Sequence, residues 1–156
     1  MVITLRLPLI LSCSSLMFMA NLALAQVIVT DAWVRGTVPG QRATGAFMQL
    51  LSATDQTLVA ASSPSAKFVE IHEMTMESGV MKMRAIDQLG IRAGQTVDLK
   101  TGGHHLMLLD LHAPLKVGDT VAITLTWQDR TGSKTMQEVA VLVRPLTTPS
   151  GGAHKH

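Results

Sequence analysis

The sequence predicts an all-β sandwich of short antiparallel strands, and three observations lead there. Apolar residues between 27 and 143 alternate with polar ones or run in short β-branched blocks, a period of two rather than 3.6. Glycine-containing turns recur about every ten positions. No segment carries an amphipathic pattern long enough for a helix of three turns.

The strands follow in order. Residues 27–33 open with Val27-Ile28-Val29 and end on Trp33. The Pro39-Gly40 break precedes 45–51, where Phe47, Met48 and two leucines cluster, and 58–61 is a short apolar block. Residues 67–76 form the longest of these segments, and Ser78-Gly79 turns the chain into 81–87. After Ala93-Gly94 comes 96–100, and after Gly102-Gly103 comes 105–111, with the apolar run 106–109 inside it. Val117-Gly118-Asp119 leads into 121–127, and Thr131-Gly132 into 136–143. None of these strands can cover its inner face alone, so they must bury it against a second sheet.

The ends read differently. Arg6, an apolar stretch from 7 to 20 and the small-x-small triplet Ala23-Leu24-Ala25 make residues 1–25 an export signal cleaved after Ala25. A lipoprotein signal ending at Cys13 competes, but bulky Leu11 and the very short apolar region it leaves disfavour it. A stretch of about 14 residues is short of the roughly 20 that a spanning helix needs, so no permanent membrane span is expected. Residues 26–146 form the domain, and 147–156, with Pro149, Gly151, Gly152, His154 and His156, a flexible tail. The expected location is the periplasm.

Composition narrows the function. The whole chain has 13 Lys plus Arg against 11 Asp plus Glu, scattered singly, which argues against nucleic acid. Ten methionines stand against three Phe, two Trp and no Tyr, an inversion of the usual core chemistry. Signal cleavage removes the only cysteine and leaves seven methionines, five of them between 74 and 107. A mature chain without thiols has neither a disulfide nor a thiolate metal site.

Two segments carry chemistry. In 67–76, Phe68, Glu70, His72, Met74 and Met76 share one face. A turn over 77–80 sets Met76 opposite Met81, Met74 opposite Met83 and His72 opposite Ala85; a three-residue loop with a bulge at Gly79 is equally legal and separates His72 from Met83. In the second segment, His105 and Met107 share a face and adjacent His104 points the other way. Thioether sulfur is soft, uncharged and needs no deprotonation, so mixed His and Met donors favour Cu(I) over Zn(II), Mg(II) or Ca(II). The ordinary roles compete: methionines fill core gaps, histidines make structural hydrogen bonds, and Glu70, Glu73 and Glu77 belong to a solvated edge.

No enzyme motif survives inspection. His72-Glu73 begins a zincin-like pattern, but residue 76 is Met and the segment is a strand. There is no nucleophile elbow, phosphate loop or dinucleotide fingerprint, and a blue-copper centre needs a cysteine. The chain is therefore not expected to be an enzyme.

His72, ten residues, Met83, twenty-one residues, then His105-Leu106-Met107 reproduces the spacing of the PCu(A)C family of periplasmic copper chaperones, which the chain resembles over roughly 28–143. Asp31-Ala32-Trp33-Val34-Arg35, Gly45-Ala46-Phe47-Met48 and Leu115-Lys116-Val117-Gly118-Asp119 look like family blocks too. The resemblance implies a cupredoxin-like β-sandwich, a Cu(I) site of His72, Met83, His105 and Met107, and delivery by ligand exchange to the binuclear copper site of cytochrome c oxidase subunit II, alongside Sco-type proteins. It makes Met74, Met76 and Met81 shielding neighbours or transient ligands, and His154 and His156 a thin version of a tail that binds Cu(II). Glu73, where some members have Met, and His104, where an aromatic is frequent, depart from the pattern without touching the four ligand positions. A monomer is expected. The alternatives are copper sequestration for tolerance at the same site and a metal-free β-sandwich assembly module.

Overall fold

The computed structural model describes residues 27–145; the signal segment with Cys13, the cleavage point and the tail histidines lie outside the described residues. Ten strands occur among them: β1 (Ile28–Arg35), β2 (Ala43–Leu51), β3 (Gln56–Ser62), β4 (Ala66–Glu77), β5 (Val80–Ile86), β6 (Leu89–Ile91), β7 (Thr96–Leu99), β8 (His105–Leu111), β9 (Thr120–Asp129) and β10 (Lys134–Arg144). No helix long and apolar enough to cross a membrane is found among the described residues.

The pairing β4-β8-β2-β1-β10-β9-β3 returns to β4 through Ala61 opposite Val69, so seven strands close on themselves around one core. Every pair in that circuit is antiparallel except β1 with β10, which run parallel from Trp33 opposite Leu142 to Arg35 opposite Arg144. β5 extends β4, β6 adds to β3, and β7 shares an edge of β2 with β8. The three-residue β6 escapes a sequence reading because Leu89-Gly90-Ile91 is too short to show a period, yet Leu89 and Ile91 are buried.

Alternation decides what is inside. On β2 and β8, Ala46, Met48, Leu50, Leu106 and Leu108 point inward and are fully buried, joined by Val34, Leu58, Ile123, Leu125 and Val141. Burying each of the larger aliphatic side chains is worth about 1.5–3 kcal/mol. Their strand neighbours, Phe47 on β2 and His105 and Met107 on β8, therefore face away from the core. β1 keeps its inner face only by a bulge: the register shifts between Thr30 and Trp33, and Asp31 takes φ of 47°, a left-handed conformation that aspartate tolerates.

Candidate metal centre

The β4–β5 hairpin turns through Ser78 and Gly79, both at positive φ (50° and 78°), the two-residue turn whose twist matches paired strands. Of the two registers open to the sequence, this is the one that sets Met76 opposite Met81, Met74 opposite Met83 and His72 opposite Ala85. Because Glu77 and Val80 flank the two-residue turn, Met76–Met81 and Met74–Met83 fall at the non-hydrogen-bonded positions, where facing side chains come closest.

β8 begins where β7 leaves the edge of β2. Gly102, at φ of 81°, lets the chain reverse so that Lys100 N–H donates to the His104 carbonyl at 2.7 Å and His105 becomes the first residue of β8. His105 then pairs with His72 across β4–β8, and Met107 with Glu70 on one side and Gly45 on the other. The outward face carries two adjacent rows. One runs through Trp33, Phe47, His105 and His72, with ring centroids 4.5, 6.2 and 5.7 Å apart in turn. The other runs through Gly45, Met107 and Glu70.

The ring hydrogen bonds fix which nitrogens are free. His105 Nδ1–H donates to the Gly103 carbonyl at 3.1 Å, and burial, followed by the nearby His72, His104 and Arg35, holds the ring's pKa below its ordinary value despite that bond. The neutral ring thus presents a bare Nε2, and it lies 3.2 Å from Met83 Sδ, a second electron-pair donor. His72 Nε2–H donates to Glu70 Oε2 at 2.8 Å, which leaves Nδ1 bare, buried and without a partner.

Arg35, Phe47, Met74, Met83, His105 and Met107 line an open cavity of about 300 Å³. Three of the four residues singled out by spacing therefore share it; His72, 8% exposed, stands beside it with its ring against that of His105. Met83 is 49% exposed, so this wall of the cavity is reachable from solvent. No cluster of three or more His, Cys, Asp and Glu able to hold a metal occurs among the described residues, so any ion here depends on sulfur.

Glu70 and Glu77 lie on a solvated edge, yet each of the three glutamates has a partner. Glu70 orients His72; Glu73, with a side chain only 19% exposed, accepts from Arg84 Nε–H at 2.6 Å and lies 3.6 Å from His104; Glu77 pairs with Lys82 at 2.8 Å. Phe47 and Arg35 are site components that spacing does not reveal, because they reach it through strand register; Glu70 and the Gly103 carbonyl act locally, each two residues from the histidine it holds.

The comparisons bear on the fold and the family. Copper(I)-bound DR1885 of Deinococcus radiodurans is 34% identical, with TM-score 0.62 over 80% of this chain and 83% of that one. Its apo form is 30% identical, with TM-score 0.59 over 94% and 97%. The copper-bound PCuAC domain of PmoF2 shares the fold at 18% identity, with TM-score 0.59 over 78% and 96%. Among curated proteins, lipoprotein Lxx21020 of Leifsonia xyli subsp. xyli is 33% identical over 66% of this chain, and RP573 of Rickettsia prowazekii 33% over 69%. The matches span 63% and 62% of those two relatives. The family model described as lipoprotein LpqE-like matches residues 27–143, and with it the chain belongs to the LpqE-like, or PCuAC, family.

Proposed function

We propose that this chain is an exported Cu(I) chaperone whose cargo is held by His72, Met83, His105 and Met107. The observation that carries the reading is the 3.2 Å approach of His105 Nε2 to Met83 Sδ, two donors with no proton to share. With bonds of roughly 2.0 Å to nitrogen and 2.3 Å to sulfur, lengths these elements make to a d10 first-row ion, that separation corresponds to a bond angle of about 95°. Met107 from the cavity wall and the bare Nδ1 of His72 complete a neutral donor set. Its softness selects the monovalent ion. The copper named for DR1885 and for the PmoF2 domain supports the same cargo here.

Release follows from the same donors. Four neutral ligands leave the ion's charge uncompensated, and partly exposed Met83 gives an incoming ligand access. A recipient thiolate binds more tightly and draws the ion across by ligand exchange, without bond chemistry in the protein. We place the recipient at the binuclear copper site of cytochrome c oxidase subunit II, with Sco-type proteins as co-workers, and the chain in the periplasm after cleavage at Ala25. The lipoprotein description of the family is consistent with export. The test is anaerobic titration of Cu(I) against a chromogenic chelator, with the four ligands replaced one at a time. One tight equivalent in the native protein, weakened by each replacement, is the expected result; native-like binding by His105→Ala overturns the assignment.

A further inference from the structure

Arg35 is a cation without an anion. Arg42, Arg84, Arg130 and Arg144 each hold a carboxylate, at 3.1 Å to Asp110, 2.6 Å to Glu73, 3.6 Å to Asp55 and 2.9 Å to Asp31. Arg35, like exposed Arg92, makes no ion pair among the described residues, but its Nε is buried with no hydrogen-bond partner. An unpaired buried donor is costly, and a guanidinium presents its donors as a planar fork suited to a carboxylate.

Register explains where that fork sits. Val34 pairs with Ala46, so Arg35 falls beside Gly45, and Gly45 pairs with Met107. Arg35 and Met107 thus face each other across a residue with no side chain, over the cavity that both line. The guanidinium carbon lies 5.6 Å from the centroid of Phe47, whose ring fills the space over Gly45 and comes within 6.2 Å of His105. Glu70, opposite Met107, is engaged by His72, and Asp31 by Arg144.

We propose that Arg35 is an anion-binding subsite adjoining the metal ligands, taking a carboxylate group that shares the cavity with the cargo. The proposal rests on the Cu(I) reading for its second half. A monovalent cation on neutral donors places two like charges against a wall of Phe47 and methionine, and a carboxylate on Arg35 relieves their repulsion. Binding of the two is therefore mutually reinforcing, and by linkage each raises the other's affinity by the same factor. The carboxylate comes either from a free small acid or from an acidic side chain of the protein that receives the metal.

The experiment follows the Arg35 Nε–H resonance and the Cu(I) affinity of the native protein during additions of acetate, of a capped tetra-aspartate peptide and of a capped tetra-asparagine control. A saturating shift of Arg35 Nε–H with acetate, together with an increase of about fivefold in Cu(I) affinity, identifies a free carboxylate. The same response to the acidic peptide alone identifies a side chain of the recipient. No response to either, or an equal response to tetra-asparagine, overturns the subsite, as does an unchanged affinity gain in Arg35→Gln. Arg35→Lys, which keeps the charge without the fork, is expected to respond weakly. An Nε–H shift in a protein that binds no Cu(I) leaves the anion subsite standing and fails the copper reading alone.

Discussion

His105 Nε2 faces Met83 Sδ at 3.2 Å although the two residues sit on strands that do not pair with each other. The Gly103 carbonyl holds the only ring proton on Nδ1, so two lone pairs meet where a cation is the natural partner. Replacing His105 by Ala is expected to erase the Cu(I)-induced rise in melting temperature. Met83→Leu and Met107→Leu preserve volume but lose sulfur, and are expected to weaken Cu(I) by about tenfold or more, about 1.4 kcal/mol each. A competition titration beside an anaerobic melt reads both. Equal shifts in native and Met83→Leu protein contradict the ligand set, because binding to the folded state must stabilise it by mass action.

Glu70 acts through His72. Its carboxylate accepts the Nε2–H at 2.8 Å and so fixes the ring with Nδ1 bare, the arrangement in which an outer carboxylate orients a metal-binding imidazole. Glu70→Ala is expected to cost 10- to 100-fold in Cu(I) affinity while leaving the stoichiometry at one. Glu70→Gln, which still accepts that hydrogen bond, is expected to cost less. An affinity unchanged in Glu70→Ala would show that His72 needs no such support.

Burial lowers the pKa of His105, with His72, His104 and Arg35 acting in the same direction and the Gly103 hydrogen bond opposing them. Its unfolded value is near 6.5, so between that pH and the lower folded value the unfolded chain binds more protons than the native one. Stability in the apo form therefore rises with pH through this window, is fully present above about 6.5, and is lost on acidification towards the folded pKa. The difference in unfolding free energy between native protein and His105→Gln should shrink as pH drops below about 6.5 and stay flat above it. Proton competition for Nε2 should likewise begin only below the ordinary histidine range, which a ring-proton titration by NMR checks directly.

The sequence carries the parts of this site that depend on spacing along one strand. His105 and Met107 share a face because a strand repeats every two residues, whereas Ser78-Gly79 allows two registers, and the structure selects the one that pairs two methionines with two others. The sequence does not carry the parts that depend on lateral register. Arg35 reaches the cavity through the β1–β2–β8 pairing, and that alignment is shifted by a bulge at Asp31 that no periodicity announces. The same holds for the parallel β1–β10 pair, since β1 begins the domain and β10 ends it. The supports of the two histidine rings are thus local, at i and i+2, whereas the meeting of His105 with Met83 and the place of Arg35 are topological.

Gly45 is where that topology becomes testable. A Cβ built there lies 2.9 Å from Cζ of Phe47, closer than real contacts allow, so Gly45→Ala must displace the ring. Phe47 has little freedom: its ring lies 4.5 Å from that of Trp33 and 6.2 Å from that of His105, with Arg35 over its face. The displacement therefore passes along the aromatic row to His105 and His72. Overpacking of this kind typically costs about 1–3 kcal/mol, and a distorted His105 should weaken Cu(I) as well. Gly90→Ala supplies the control, because a Cβ there meets nothing within 4 Å on a strand far from the cavity. The expected outcome is a lower melting temperature and weaker Cu(I) binding for Gly45→Ala, with Gly90→Ala close to native in both. If Gly45→Ala loses stability but binds Cu(I) as the native protein does, the Phe47 ring does not position His105.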